Sequence, residues 1–131
     1  MPCTTLASWN PGDVRTLDQV FAKLASSPFR TRFRLTERER QYLQERGLPT
    51  ILEHARGFID TRLAPESPRH DGKQTPYRGH PVFVAQHATA CCCRKCLEKW
   101  HGIASGHQLD QAEREHILAS LERWLKAALE P

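Results

Sequence analysis

Nowhere in its 131 residues does the chain approach the ~18–20 consecutive apolar positions that a helix needs to cross a bilayer. The opening MPCTTLASWNPGDVRT lacks a basic start followed by an apolar run, so no secretion signal is read there and a cytoplasmic address is expected. Cysteine is too scarce and too unevenly spread for a disulfide framework. There are five, an odd number, and Cys91, Cys92 and Cys93 are consecutive, a spacing at which a bridge is strained. Reduced thiols in a reducing compartment fit better, and such thiols also suit zinc. Internal repeats and low-complexity tracts are absent, as are a paired-carboxylate site, a serine triad and a dinucleotide fingerprint. Asp71-Gly72-Lys73-Gln74-Thr75 has the ending of a phosphate-binding loop, but Ser67 stands where that motif needs glycine, and no strand precedes it.

What is present describes an ordinary globular chain: 39% hydrophobic and 26% charged residues, with a net charge of +4. The cations are 14 arginines and 5 lysines. That bias favours forked pairing with phosphate or carboxylate over mere solubility, while the net excess is too small to define a nucleic-acid partner by itself.

Residues 1–15 carry turn formers and little apolar pattern, and read as a loose arm. Thr16 with Gln19 has capping-box spacing, and Leu17, Val20, Phe21 and Leu24 follow at helical intervals until Ser26-Ser27-Pro28. In FRTRFRL, Phe29, Thr31, Phe33 and Leu35 alternate with Arg30, Arg32 and Arg34, which predicts an extended segment with three guanidiniums on one side. That side could track phosphates, or be a solvated face balanced by Glu37 and Glu39. Thr36 caps a second helix that ends at Gly47. Pro49 opens a third, with Ile51, Leu52, Ala55, Phe58, Ile59 and Leu63 as its stripe. Residues 64–81 hold four prolines and two glycines and predict a long loop. Pro81–Ala88 fits a short helix or a short buried strand, with helix preferred. Thr89 is expected to cap a cysteine-bearing helix that stops near Gly102, and Asp110 to cap a final helix with a clear apolar face from Ile117 to Leu129.

The segment CCCRKCLEKWH, Cys91 to His101, carries the most chemistry. On a helix at ~100° per residue, Cys93, Cys96, Leu97 and Trp100 share a side, from which Cys91 and Cys92 diverge. In one reading these thiols are simply small core hydrophobes. In a second, Cys93-x-x-Cys96 is half of a zinc site whose remaining ligands come from His101, His87, His80, Cys92 or Cys91, with His101 and His87 preferred and Arg78, His80 and Cys92 lining it. In a third, it is a redox or nucleophilic thiol site, for which the usual strand–helix frame is missing.

The stretch TPYRGHPVFVAQHATACCCRKCLEKWHGI, Thr75 to Ile103, resembles the signature block of a YdfO-like family of bacterial and prophage proteins of unknown function. FRTRFRL and the last helix are similar too, so the likeness runs from Ser26 to Leu129. The resemblance implies a small cytoplasmic protein encoded near mobile elements. It also implies threonine at the position of Cys91 and glycine at that of Lys95, which makes Cys91 the weakest ligand candidate. Gly102-Ile103-Ala104-Ser105-Gly106 departs from the Pro-Lys turn of that family.

Taken together, the sequence predicts a mainly α, single compact domain over residues 16–131, with about five or six helices, the long 64–81 loop and at most one short strand. The function expected is a small binding or interaction module, zinc-stabilised and nucleic-acid associated. The rival is a metal- or Cys/His-dependent hydrolase whose site joins the 78–87 segment to the cysteine helix.

Overall fold

Helix α1 (Leu17–Ala25) begins with the reciprocal cap its sequence announces. In the computed structural model, which describes residues 14–130, the Gln19 N–H donates to Thr16 Oγ1 (3.2 Å) and the Thr16 N–H to Gln19 Oε1 (2.9 Å). The expected loose arm lies outside the described residues except for Val14 and Arg15. Arg15 is held: its N–H donates to the His101 carbonyl, and its Nη1 to the carbonyls of Lys99 and Trp100.

The extended reading of FRTRFRL is corrected. Pro28–Thr31 forms a short helix, α2, because Ser27 accepts the Arg30 N–H (3.2 Å) and Pro28 brings a helical φ to the first turn. Ser26-Ser27-Pro28 therefore ends one helix and starts the next. The turn also breaks the arginine alternation, sending Arg30 inward while Arg32 and Arg34 stay on the outside.

In α3 (Glu37–Arg46), Thr36 and Glu39 form a second capping box. Glu39 uses its other oxygen to accept the Gly79 N–H over 2.8 Å, which pins the long loop to this helix end. Gly47 at φ 85° ends α3 and turns directly into α4 (Leu48–Phe58), a left-handed position that costs glycine little. A π-helical turn, Ile59–Leu63, continues α4 and closes with the Ala64 N–H on the Ile59 carbonyl (2.8 Å). Residues 64–80 have no regular structure, as expected.

The ambiguous segment is helix α5 (Pro81–Ala88). Val82, Val84, Ala85, Gln86, His87 and Ala88 are all buried, so α5 runs through the centre of the molecule. A helix covered on all sides has no polar face, which is why its sequence shows no period of 3.6. Thr89 does not cap the cysteine-bearing helix. It is the C-cap of α5, with its hydroxyl donating back to the Ala85 carbonyl (2.7 Å), and Ala90 then takes a left-handed φ of 61°. The next helix, α6 (Arg94–Cys96), starts only at Arg94 and runs on through a second π-helical turn, Leu97–His101, to Gly102 at φ 80°. Asp110 and Glu113 box the start of α7 (Gln111–Leu129). The described residues hold seven helices, one more than expected, and no strand. None is long and apolar enough to cross a membrane.

The main core gathers Leu43, Ile51, Ala55, Ile59, Leu63, Val82, Leu97, Ile103, Ile117, Leu121 and Leu125. A smaller cluster joins Val20 and Leu24 of α1 to Ala90, with Phe21, Cys96 and Trp100 against it. The cysteine segment thus lies between two apolar bodies.

Candidate metal centre

The break at Ala90 decides the geometry of the cysteines. Because the chain re-enters a helix only at Arg94, Cys93 becomes the N-cap, in extended conformation (φ −159°, ψ 169°), and Cys96 occupies the third helical position. The Cys96 N–H donates to Cys93 Sγ (3.4 Å), a sulfur version of an N-cap. Cys92, which a continuous helix would turn away, instead aims its sulfur at the same point. The Sγ atoms of Cys92, Cys93 and Cys96 all lie within 4.8 Å of one another. Cys92 and Cys93 are buried and Cys96 is half-buried; none forms a disulfide.

Neighbouring groups hold this arrangement. Thr75 Oγ1 donates to the Cys92 carbonyl (2.8 Å), and Asp71 Oδ1 accepts the Arg94 N–H (3.0 Å) at the start of α6. Arg94 is almost wholly buried; its guanidinium donates to the carbonyls of Leu63 (3.1 Å), Pro65 (3.0 Å) and Ala104 (3.0 Å). That fork ties the end of α4, the long loop and the segment after α6 to the cysteine helix.

Arg30 is the cation of the site. Its Nη2 donates to Cys96 Sγ (3.2 Å), and its Nη1 to the His87 carbonyl (2.7 Å) and, more distantly, to Cys92 Sγ (3.8 Å). Burial pushes the Arg30 pKa down, and the sulfurs of Cys92 and Cys96 more than restore it. Hydrogen bonds from the Cys92 and Cys93 thiols, followed by that from Arg30, hold Cys96 far below the usual thiol range. The Cys92 pKa is raised by donating to Cys93 and Cys96 and by burial. At Cys93 the bond from Cys92 pulls downward, but donation to Cys96 and burial prevail and the pKa rises. Of the three sulfurs, Cys96, the one beside the Arg30 Nη2, is thus the one whose surroundings most favour the thiolate.

The expected histidines lie elsewhere. His87 sits inside α5 with Nε2 on the Thr75 carbonyl (3.0 Å) and its ring stacked on Tyr77 (centroids 4.1 Å apart). His101 is fully buried; its Nε2–H donates to the Thr89 carbonyl (2.7 Å), which leaves Nδ1 to accept from His116 Nε2 (2.9 Å). The neighbour of His101 is Cys91, whose sulfur is 3.4 Å away and whose pKa burial raises to about 12. His80 caps α5 by accepting the Val82 N–H at Nδ1 (3.0 Å), so its Nε2–H donates to His54 Nδ1 (3.0 Å). Arg78 is exposed, and among the described residues no hydrogen bond joins Arg78 or His80 to the thiols. Of the candidates read from sequence, the structure brings together Cys93, Cys96, Cys92 and Arg30. It adds Thr75 and Asp71 from the long loop and Arg94 from the segment itself, whose partners Leu63, Pro65 and Ala104 lie 10 to 31 positions away, so no local pattern signals them.

The arrangement can accept a thiophilic ion. In a tetrahedral zinc site with sulfur ligands at ~2.3 Å, the sulfurs stand roughly 3.8 Å apart, so the trio needs only a small contraction. Three thiolates would overbalance a divalent ion by one charge, and Arg30, whose N–H groups meet the Cys92 and Cys96 sulfurs, would restore neutrality.

Fold and site together define a small all-helical protein with a buried three-thiol cluster capped by an arginine. The chain belongs to the family described as domain of unknown function (DUF4186), whose profile matches residues 18–126. No solved structure matches it.

Proposed function

We propose that this protein is a small binding module that holds one zinc ion through Cys92, Cys93 and Cys96, with Arg30 as its charge-balancing neighbour. The observation that carries the reading is the convergence of the three sulfurs within 4.8 Å at the start of α6. The chemistry favours zinc over harder ions, because thiolates are soft ligands. A cytoplasmic setting and kinship with YdfO-like prophage proteins belong to the same reading, since free thiols persist where the compartment is reducing. Nothing in the geometry favours the hydrolase alternative over this one.

The test is elemental analysis of untagged, full-length protein purified under reducing conditions, with cobalt(II) substitution alongside. About one zinc per chain is expected, together with the charge-transfer absorption of cobalt–thiolate bonds. Cys92→Ser, Cys93→Ser and Cys96→Ser should each abolish tight retention, and His101→Gln should not. A wild type that retains no zinc and gives no cobalt–thiolate absorption overturns the reading.

A further inference from the structure

The two longest stretches of the chain without an acidic residue are 19–36 and 72–97. Between them they hold eight cations, Lys23, Arg30, Arg32, Arg34, Lys73, Arg78, Arg94 and Lys95, of which Arg30 and Arg94 are buried. The fold lays the two stretches side by side, through the stacking of Phe33 on Tyr77 and His87. All 15 carboxylates of the chain lie outside them. The result is a face on which, among the described residues, none of these eight cations is ion-paired to a carboxylate, while Glu39 and Asp71 reach it at the backbone N–H groups of Thr36, Gly79 and Arg94.

Aromatic rings form a row on this face. Tyr77 stacks on His87 with an interplanar angle of 8° and is still 59% exposed. Phe33 stacks on Tyr77 (6.4 Å), and Phe29 meets Phe33 edge-on (5.3 Å) while remaining 39% exposed. The Arg30 guanidinium then bridges Phe29 (5.0 Å) and Trp100 (5.5 Å). Cations lie along the row: Arg32 over Phe29 (4.7 Å), and Lys23 and Lys99 over Trp100 (5.4 and 5.9 Å). Burial lowers the Lys23 pKa, and the like charges of Arg15 and Lys99 lower it further.

Ordinary burial does not explain this row. Exposed phenyl and phenol rings interleaved with cations offer a stacking surface to any planar base and a counter-charge to the phosphate beside it. A duplex hides its base faces and would meet only the cations, whereas a single strand uses both. We propose that the row Tyr77–Phe33–Phe29–Trp100 is a binding surface for single-stranded nucleic acid, with bases stacked on its rings and phosphates met by Arg32, Lys23 and Lys99. This surface differs from the one the sequence suggests, because Arg30 faces the thiols and Arg34 folds its guanidinium onto the carbonyls of Thr31 (2.7 Å) and Phe33 (2.9 Å). It also makes no use of the cysteine sulfurs, so it stands or falls apart from the zinc reading.

The experiment is a fluorescence-anisotropy titration of the full chain with a labelled oligothymidine of about a dozen nucleotides, at two salt concentrations. The same-sequence duplex and anionic phospholipid vesicles serve as competitors. The expected result is salt-dependent binding of the single strand that neither competitor displaces at equal charge. Phe29→Ala and Tyr77→Ala should each weaken it by about five- to a hundredfold. Tyr77→Phe, which keeps the ring, should bind like wild type. Arg32→Gln should lower the slope of log affinity against log salt by about 0.7. A duplex or a vesicle that competes as well as the single strand overturns the proposal. So do ring variants that melt and bind like wild type.

Discussion

Arg30 Nη2 donates to Cys96 Sγ over 3.2 Å, and Nη1 of the same guanidinium donates to the His87 carbonyl over 2.7 Å. One side chain from α2 thus satisfies the C-terminal end of α5 and the thiol cluster at the start of α6. Arg30→Met would strand the buried carbonyl and remove the cation beside the Cys96 sulfur. A loss of about 3 kcal/mol is expected, near the low end for breaking a buried charged pair. Arg30→Lys, with one compact ammonium in place of a fork, should recover less than half. Urea unfolding of the metal-free, reduced protein measures both, and a change under about 0.5 kcal/mol for Arg30→Met would show that the contact is idle.

A second buried guanidinium bears on the fold more than on the site. Arg94 ends in three carbonyls, of Leu63, Pro65 and Ala104, and so ties their segments together, helped by the Leu109 N–H on the Ala64 carbonyl. Arg94→Lys should cost nearly as much as Arg94→Met, about 3–5 kcal/mol, because no single ammonium spans three acceptors. Asp71→Ala, which removes only the acceptor of the Arg94 N–H, should cost about 1 kcal/mol, like a lost N-cap. Thermal melts of the three variants should therefore rank Asp71→Ala well above the two Arg94 substitutions.

The pattern of what the sequence revealed has a physical cause. Capping boxes at Thr16, Thr36 and Asp110 are legible because both partners lie within one turn. Gly47 and Gly102 are legible because left-handed turns select glycine. Ala90 misleads because alanine carries no such signal, yet its left-handed φ moves the start of α6 from Thr89 to Cys93. That single shift brings Cys92 into the cluster and separates His101 from it. FRTRFRL misleads for a related reason: alternation over seven residues is real, but Ser27 and Pro28 supply a helix start that outweighs it locally. Arg30, Thr75 and Asp71 reach the cysteine segment from 17 to 66 positions away. No local reading could find them.

If zinc binds the folded chain alone, it must also stabilise it by mass action. Free zinc at about a hundred times its Kd should add about 2.7 kcal/mol, and a chelator should remove that increment reversibly. Cys92→Ser, which removes one of the three converging sulfurs, should lose the increment whatever it costs the metal-free protein. A melting temperature that ignores both zinc and chelator would mean that the thiols pack as ordinary core side chains.

Acid should destabilise the protein well before its carboxylates titrate fully. Burial holds His101 at about 4, against 6.5 when unfolded, with the charge of His116 adding to the effect despite the Thr89 carbonyl. Burial likewise lowers His80 to about 4, and lowers His87 and His116. Between pH 6.5 and 4 the unfolded chain binds protons that the folded chain refuses, so stability is full above 6.5 and falls as the pH drops through that window. His101 alone should account for about 3 kcal/mol of that fall, and the half-exposed His80 adds a smaller part in the same direction. The measurement is the unfolding free energy in urea at several pH values between 7.5 and 4, with His101 followed by its ring proton shifts. A neutral His101 ring down to about pH 4, with stability declining in step, is the expected result. A flat profile across the window, or a ring that titrates near 6.5 without unfolding, would mean that the His101–His116 pair is open to water.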